Sequence, residues 1–166
     1  MKKSFLSLCL AVTSISLTSC DNAEYKPYNN SIYIAESYGG NQKSIVVNEN
    51  GATIEFIVRT AEPTANALTV SVAASEDALT KYNVKTGTKY KMLPKDYFTF
   101  STNNVQISEG GLLSGMVRIT IAPQAHSLLA GEDKFVLPVT IISVSDASLH
   151  VMDNLKTCVF ICTKSE

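Results

Sequence analysis

Tryptophan is absent from the 166 residues, histidine occurs twice, and cysteine occurs four times. Each scarcity removes a class of function. His126 and His150 lack the close paired spacing with cysteines that a zinc module requires, so no metal and no cofactor are expected. No Gly-x-Ser-x-Gly elbow is present, no glycine-rich phosphate loop follows a strand, and neither histidine has a recognisable triad context. Acids such as Glu55, Glu62, Asp96 and Glu109 could flank a sugar bond in a cleft, but they fall where turns and solvated faces place carboxylates. The chain is therefore not expected to be an enzyme. Excess positive charge is lacking too: 14 basic residues stand against 15 acidic ones, which offers nucleic acid no general attraction. Long apolar runs are missing as well. The longest, Phe5 to Leu17, has 13 residues, short of the ~20 a membrane-crossing helix needs.

That stretch has the form of an export signal. Lys2 and Lys3 precede it, and the small residues Thr18, Ser19 and Cys20 close it. Loss of such a leader takes the basic count from 14 to 12 against 15 acids, a net formal charge of −3. Leu17-Thr18-Ser19-Cys20 resembles a bacterial lipobox, which implies cleavage before Cys20 and lipidation of its sulfur. Two or three acyl chains hold a protein on a membrane where one lets it go. Residues 1–19 are thus the expected lipoprotein signal peptide. Residues 20–30, polar and turn-rich around Pro27, form the expected tether. The early acids Asp21 and Glu24 resemble signals that carry Bacteroidetes lipoproteins to the outside of the outer membrane. The expected location is the outer membrane, lipid-anchored and facing the cell exterior.

From residue 31 the apolar pattern has period two, the mark of half-buried strands. Ile54, Phe56 and Val58 alternate with Glu55, Ile57 and Arg59. Leu68, Val70 and Val72 alternate with Thr69, Ser71 and Ala73, and Val117, Ile119 and Ile121 with Arg118 and Thr120. Shorter signals lie at Ile32–Ala35, Ser44–Val47, Phe98–Phe100, Val105–Ile107, Phe135–Val144 and Lys156–Thr163, with turn clusters between them. Eight or nine strands in a single domain, 31–166, predict an all-β fold: an immunoglobulin-like antiparallel β-sandwich. One or two short helical turns are expected, at Ser75–Asn83, where Ser75 can cap, and at Ser127–Ala130. Pro138 cannot donate to a ladder, which predicts an edge strand or a bulge there.

Within the domain the remaining thiols, Cys158 and Cys162, lie four apart on one strand face. Their Cα atoms should stand about 13 Å apart at ~3.3 Å per residue, too far for a mutual disulfide. Lys81, Lys85, Lys89, Lys91 and Lys95 interleave with Tyr82, Tyr90 and Tyr97, a pattern that serves single-strand binding in some proteins and solubility of a long connection here. Aromatic rings with a polar rim can also receive sugars. Tyr38, beside Gly39-Gly40-Asn41, and Tyr90, between Lys89 and Lys91, sit in expected loops and are the candidate glycan contacts, with Asn41 adding a two-ended hydrogen-bonding group.

Ala78-Leu79-Thr80-Lys81-Tyr82-Asn83, Gly87-Thr88-Lys89-Tyr90, Met92-Leu93-Pro94-Lys95-Asp96-Tyr97, Val105 to Gly110 and Phe135-Val136-Leu137-Pro138-Val139 together resemble a Bacteroidetes surface-lipoprotein domain of unknown function. The resemblance covers most of residues 31 to 145. It implies an immunoglobulin-like sandwich, usually N-terminal to lectin-like, discoidin-like or glycoside-hydrolase modules in glycan-utilisation loci. The expected function is a non-catalytic accessory or glycan-binding module of a polysaccharide-utilisation system. The alternative is a structural spacer or adhesin subunit that engages a protein. The expected partners are the membrane, through the N-terminal lipid, and a polysaccharide or surface protein, with no nucleic acid.

Overall fold

Wherever apolar and polar residues alternate, the chain is extended. The computed structural model describes residues 29–166; the leader, Cys20 and the tether up to residue 28 lie outside the described residues. Its strands are β1 (Ser31–Ile34), β2 (Gln42–Val47), β3 (Ala52–Phe56), β4 (Val58–Thr60), β5 (Leu68–Ala74), β6 (Lys91–Met92), β7 (Phe98–Phe100), β8 (Asn104–Ile107), β9 (Val117–Ile121), β10 (Phe135–Val144), β11 (His150–Val151) and β12 (Thr157–Lys164). Two helices, α1 (Glu76–Thr86) and α2 (Ala125–Leu128), complete the set with 3-10 turns at Ala35–Ser37 and Lys95–Tyr97.

One layer is the sheet β2-β12-β10-β5-β8, to which β6 adds alongside β10. The other is built from β3-β9-β7 and β11-β1-β4. Ile57 interrupts the β3–β4 run, but residues 112–121 travel along both halves: Thr60 N donates to Leu112 O at 2.9 Å and Ser114 N to Val58 O at 2.9 Å. Residues facing inward from both layers, among them Ile32, Ile54, Phe56 and Ile119 on one side and Val70, Leu137, Val139 and Phe160 on the other, form one buried cluster. The Phe56 and Phe160 rings meet across it with centroids 6.3 Å apart. This is an all-β sandwich.

Strand direction departs from the all-antiparallel expectation. β1 with β11, β2 with β12, and β6 with β10 pair in parallel. The strand total also exceeds eight or nine, because the break at Ile57 divides one run and the two-residue strands β6 and β11 carry no periodic signal.

Pro138 lies in an interior strand and pairs opposite Val159. Ile141 N donates to Lys156 O at 2.9 Å, so odd positions of β10 bond toward β12, whereas the carbonyls of Lys134, Val136 and Pro138 accept bonds from the opposite side. The missing N–H of Pro138 therefore points at the gap where β5 has ended and β6 has not begun. Ser75 O, the acceptor it would have met, takes the Leu79 amide of α1 instead, at 3.1 Å. The register shift in β10 falls later, between Ile141 and Ser143.

α1 begins as its sequence directs, with Ser75 Oγ accepting from Ala78 N at 3.2 Å and Glu76 and Asp77 in the first turn. It runs three residues beyond Asn83 and stops at Gly87, whose φ of +69° suits glycine. The second helical turn starts at Ala125, two residues before the expected Ser127.

Candidate binding groove

The helix lies on the outer face of the large sheet. Leu79 is buried there against Val136 and Val159, flanked by Tyr82, Tyr90, Met92 and Ile161. This explains why Phe135 to Thr140 are buried at every position rather than every second one: β10 is covered on both faces.

Between α1, the 40–42 turn and residues 153–157 opens a groove of about 500 Å³. Its helix wall carries Asp77, Lys81, Tyr82 and Lys85, and its opposite wall Asp153, Asn154 and Lys156. Lys81 Nζ sits 2.7 Å from Asp77 Oδ2, and Lys156 Nζ 2.5 Å from Asp153 Oδ1. The hydrogen bond to Asp77 raises the Lys81 pKa, and the one from Lys156 lowers that of Asp153. Tyr82 donates its hydroxyl to Gln42 Oε1, and burial lifts its phenol above the ordinary value, keeping it a neutral donor. Its ring stacks on Tyr90 with centroids 6.3 Å apart and planes 20° apart. Fixed donor and acceptor pairs beside an aromatic wall are what a chain of hydroxyl groups requires.

Of the sequence-predicted residues, Asn41 alone lines the groove. Tyr38 is 68% exposed and precedes the groove-lining turn. Asn41 lines the groove in a left-handed conformation, φ +61°. Its Nδ2 donates to Asn154 O and, at 3.1 Å, to Thr157 O, so its amide hydrogens hold the turn onto the far wall. Tyr90 stands behind Tyr82, half-buried. Asn83 clasps its backbone: Nδ2 donates to Tyr90 O at 2.9 Å, and Tyr90 N donates to Oδ1 at 3.2 Å. Sequence reasoning missed Gln42, which no local signal marks. It also missed Tyr82, whose place three residues after Leu79 on a helix was the available clue. The lysine–tyrosine stretch is not one basic face: Lys81 and Lys85 reach the groove, while Lys91 pairs with Asp133 at 2.6 Å.

Elsewhere His126 Nε2 lies 3.4 Å from Ser165 Oγ, and among the described residues no carboxylate bond orients the ring. Cys158 and Cys162 are both free and buried, and burial pushes each thiol up to about 12. The sequence expectation that they do not pair with each other holds. No helix among the described residues is long and apolar enough to cross a membrane.

Such a sandwich with a helix-flanked groove defines a class of β-sandwich domain. A family model described as an N-terminal domain matches residues 28–148, most of the chain, and the chain belongs to that family. No curated protein matches it. Among solved structures it is similar to a protein from Bacteroides ovatus described as a candidate carbohydrate-binding protein, with TM-score 0.65 and 21% identity over 82% of this chain and 37% of that one. It is similar to EndoBT-3987 of Bacteroides thetaiotaomicron, solved with a Man5GlcNAc product, with TM-score 0.56 and 20% identity over 80% of this chain and 30% of that one. A multidomain Bacteroides ovatus protein that includes DUF1735 gives TM-score 0.57 and 18% identity over 76% and 42%. At these identities the likeness is one of fold. The chain spans less than half the length of each of these three.

Proposed function

We propose that this protein is a non-catalytic module of a glycan-handling system, anchored through lipid on Cys20 at the outer membrane and facing outward, and that it receives a saccharide chain in the groove beside α1. The observation that carries this reading is the groove itself, with paired ammonium and carboxylate groups, amides and a stacked tyrosine wall along one channel. It is supported by fold similarity to a chain described as carbohydrate-binding and to EndoBT-3987. Calorimetry of the purified protein against plant, host and microbial polysaccharides tests it. A ligand in the groove should bind more weakly after Lys85→Ala or Asn154→Ala, both on exposed residues, and a ring stacked on a sugar at Tyr38 should contribute about 1–2 kcal/mol. Ligand binding indifferent to Lys85→Ala, Asn154→Ala and Tyr38→Ala would move the site elsewhere. For the anchor, an alkynyl fatty acid should label the wild type and not Cys20→Ala.

The spacer or adhesin reading keeps one specific observation in its favour, the open edge of β2.

A further inference from the structure

The groove beside α1 differs in charge from the body around it. Within the described residues the 14 basic and 15 acidic residues of the chain fall to 11 and 13, since Lys2, Lys3, Lys26, Asp21 and Glu24 lie outside them. That body is acidic, yet the charged residues lining the groove are three lysines, Lys81, Lys85 and Lys156, and two aspartates, Asp77 and Asp153. Both carboxylates are engaged. Asp77 holds the Lys81 ammonium and Asp153 that of Lys156, and the charges of Lys81 and Asp153 act on one another as well. Four of the five charges therefore answer each other, two from each wall. Lys85, the fifth, has no carboxylate partner among the described residues. It follows Lys81 by four residues on α1, which sets two ammonium groups side by side on the helix surface. Like charges at that spacing repel unless an anion joins them.

We infer, on the reading that this groove receives a saccharide chain, that the chain is an acidic one, with an anionic group on the sugar, carboxylate or sulfate ester, held at Lys85 beside Lys81. A neutral chain would leave the spare ammonium uncompensated in the groove wall. A small inorganic anion would answer the charge and nothing else, for the groove also presents Ile142, 59% exposed, together with the amide of Asn154. Apolar surface with a few placed polar groups suits a ring that carries its charge at one position and an apolar face at another.

Calorimetry of the purified protein against matched polymers tests this: polygalacturonate and hyaluronate, each beside its carboxyl-reduced neutral counterpart, and chondroitin sulfate. An acidic polymer should bind at least about threefold more tightly than its neutral counterpart, the effect of one exposed ion contact, and the difference should shrink as salt is raised. Lys85→Ala should remove most of that difference and Lys85→Arg should keep it. Lys89→Ala, at an exposed position outside the groove, should leave it unchanged. A lysine in the last turn also suits the dipole of any solvated helix, but loss of that role would weaken both polymers of a pair alike and leave their ratio as it was. Chondroitin sulfate bound without hyaluronate assigns the anion to a sulfate ester, and both bound assigns it to a carboxylate. Equal binding of acidic and neutral polymers overturns the inference, as does a preference that survives Lys85→Ala or falls equally with Lys89→Ala. If the neutral polymer then loses affinity on Asn154→Ala, the groove remains a saccharide site and only the charge assignment fails. If no polymer of either kind binds, both readings fall.

Discussion

Glu36 shows how a single side chain couples charge to a joint in the fold. Its Oε2 accepts from Ile57 N at 3.1 Å, at the interruption between β3 and β4. Burial lifts its pKa above the ordinary 4.5, outweighing the Ile57 bond and the Lys43 charge that pull it down. A raised carboxyl pKa means that folding disfavours the ionised form, so this residue costs stability above its folded pKa. The cost is relieved as pH falls through that pKa toward 4.5. Glu36→Gln keeps an acceptor for Ile57 without the charge. It should therefore stabilise the protein slightly at pH 7 and lose that advantage at acid pH, read as urea midpoints at the two conditions. A destabilisation at pH 7 would show that the carboxylate is preferred there. Nothing in the sequence foretold this: Glu36 precedes a turn and has the look of a solvated acid, and its burial depends on β3 and β4, which lie about twenty residues away along the chain and are brought back by β1 pairing.

The helix illustrates what a local pattern can and cannot disclose. Its start was legible from Ser75 and the two acids that follow, because capping is a matter of adjacent residues. Its end was misplaced at Asn83, since that residue's role is not to stop the helix but to stand in for a strand. Asn83 bonds both the N–H and the C=O of Tyr90, as a neighbouring backbone would, and its Oδ1 also accepts from Thr88 Oγ1 at 2.8 Å. Asn83→Ala removes all three bonds and leaves Tyr90 backbone groups unmet in a half-buried site. A loss of about 1–3 kcal/mol is expected, with faster amide exchange confined to residues 88–92. Exchange that quickened evenly through the domain would assign Asn83 a global role. Pro138 teaches the converse: its chemistry was legible, its solution was not. The sequence shows a missing donor, but only the departure of β5 into α1 reveals an interior strand that needs none at that spot.

At the scale of the molecule, alternation fixed which residues face inward, and Phe56, Val70, Ile119 and Phe160 are buried as their period demands. Alternation carries no sign of strand direction, so the parallel pairing of β2 with β12 could not be foreseen, and with it neither the open edge nor the groove that the 40–42 turn helps to wall. The sandwich holds two apolar clusters of different reach: one between the layers, contributed by strands of both, and a small one under α1. Phe56 belongs to the first, 1% exposed, with its ring against Phe160 of the opposing layer. Truncating it leaves a void that both layers border and neither can close without shifting the other. Phe56→Ala should therefore cost about 3–5 kcal/mol in global unfolding, measured by urea denaturation with an unchanged slope. Leu79→Ala, in the small cluster, should instead release α1 first, separating the loss of helical signal from the main transition. A cost below about 1 kcal/mol for Phe56→Ala would reverse the inside and outside of that strand, and coincident transitions in Leu79→Ala would mean that the two clusters behave as a single core.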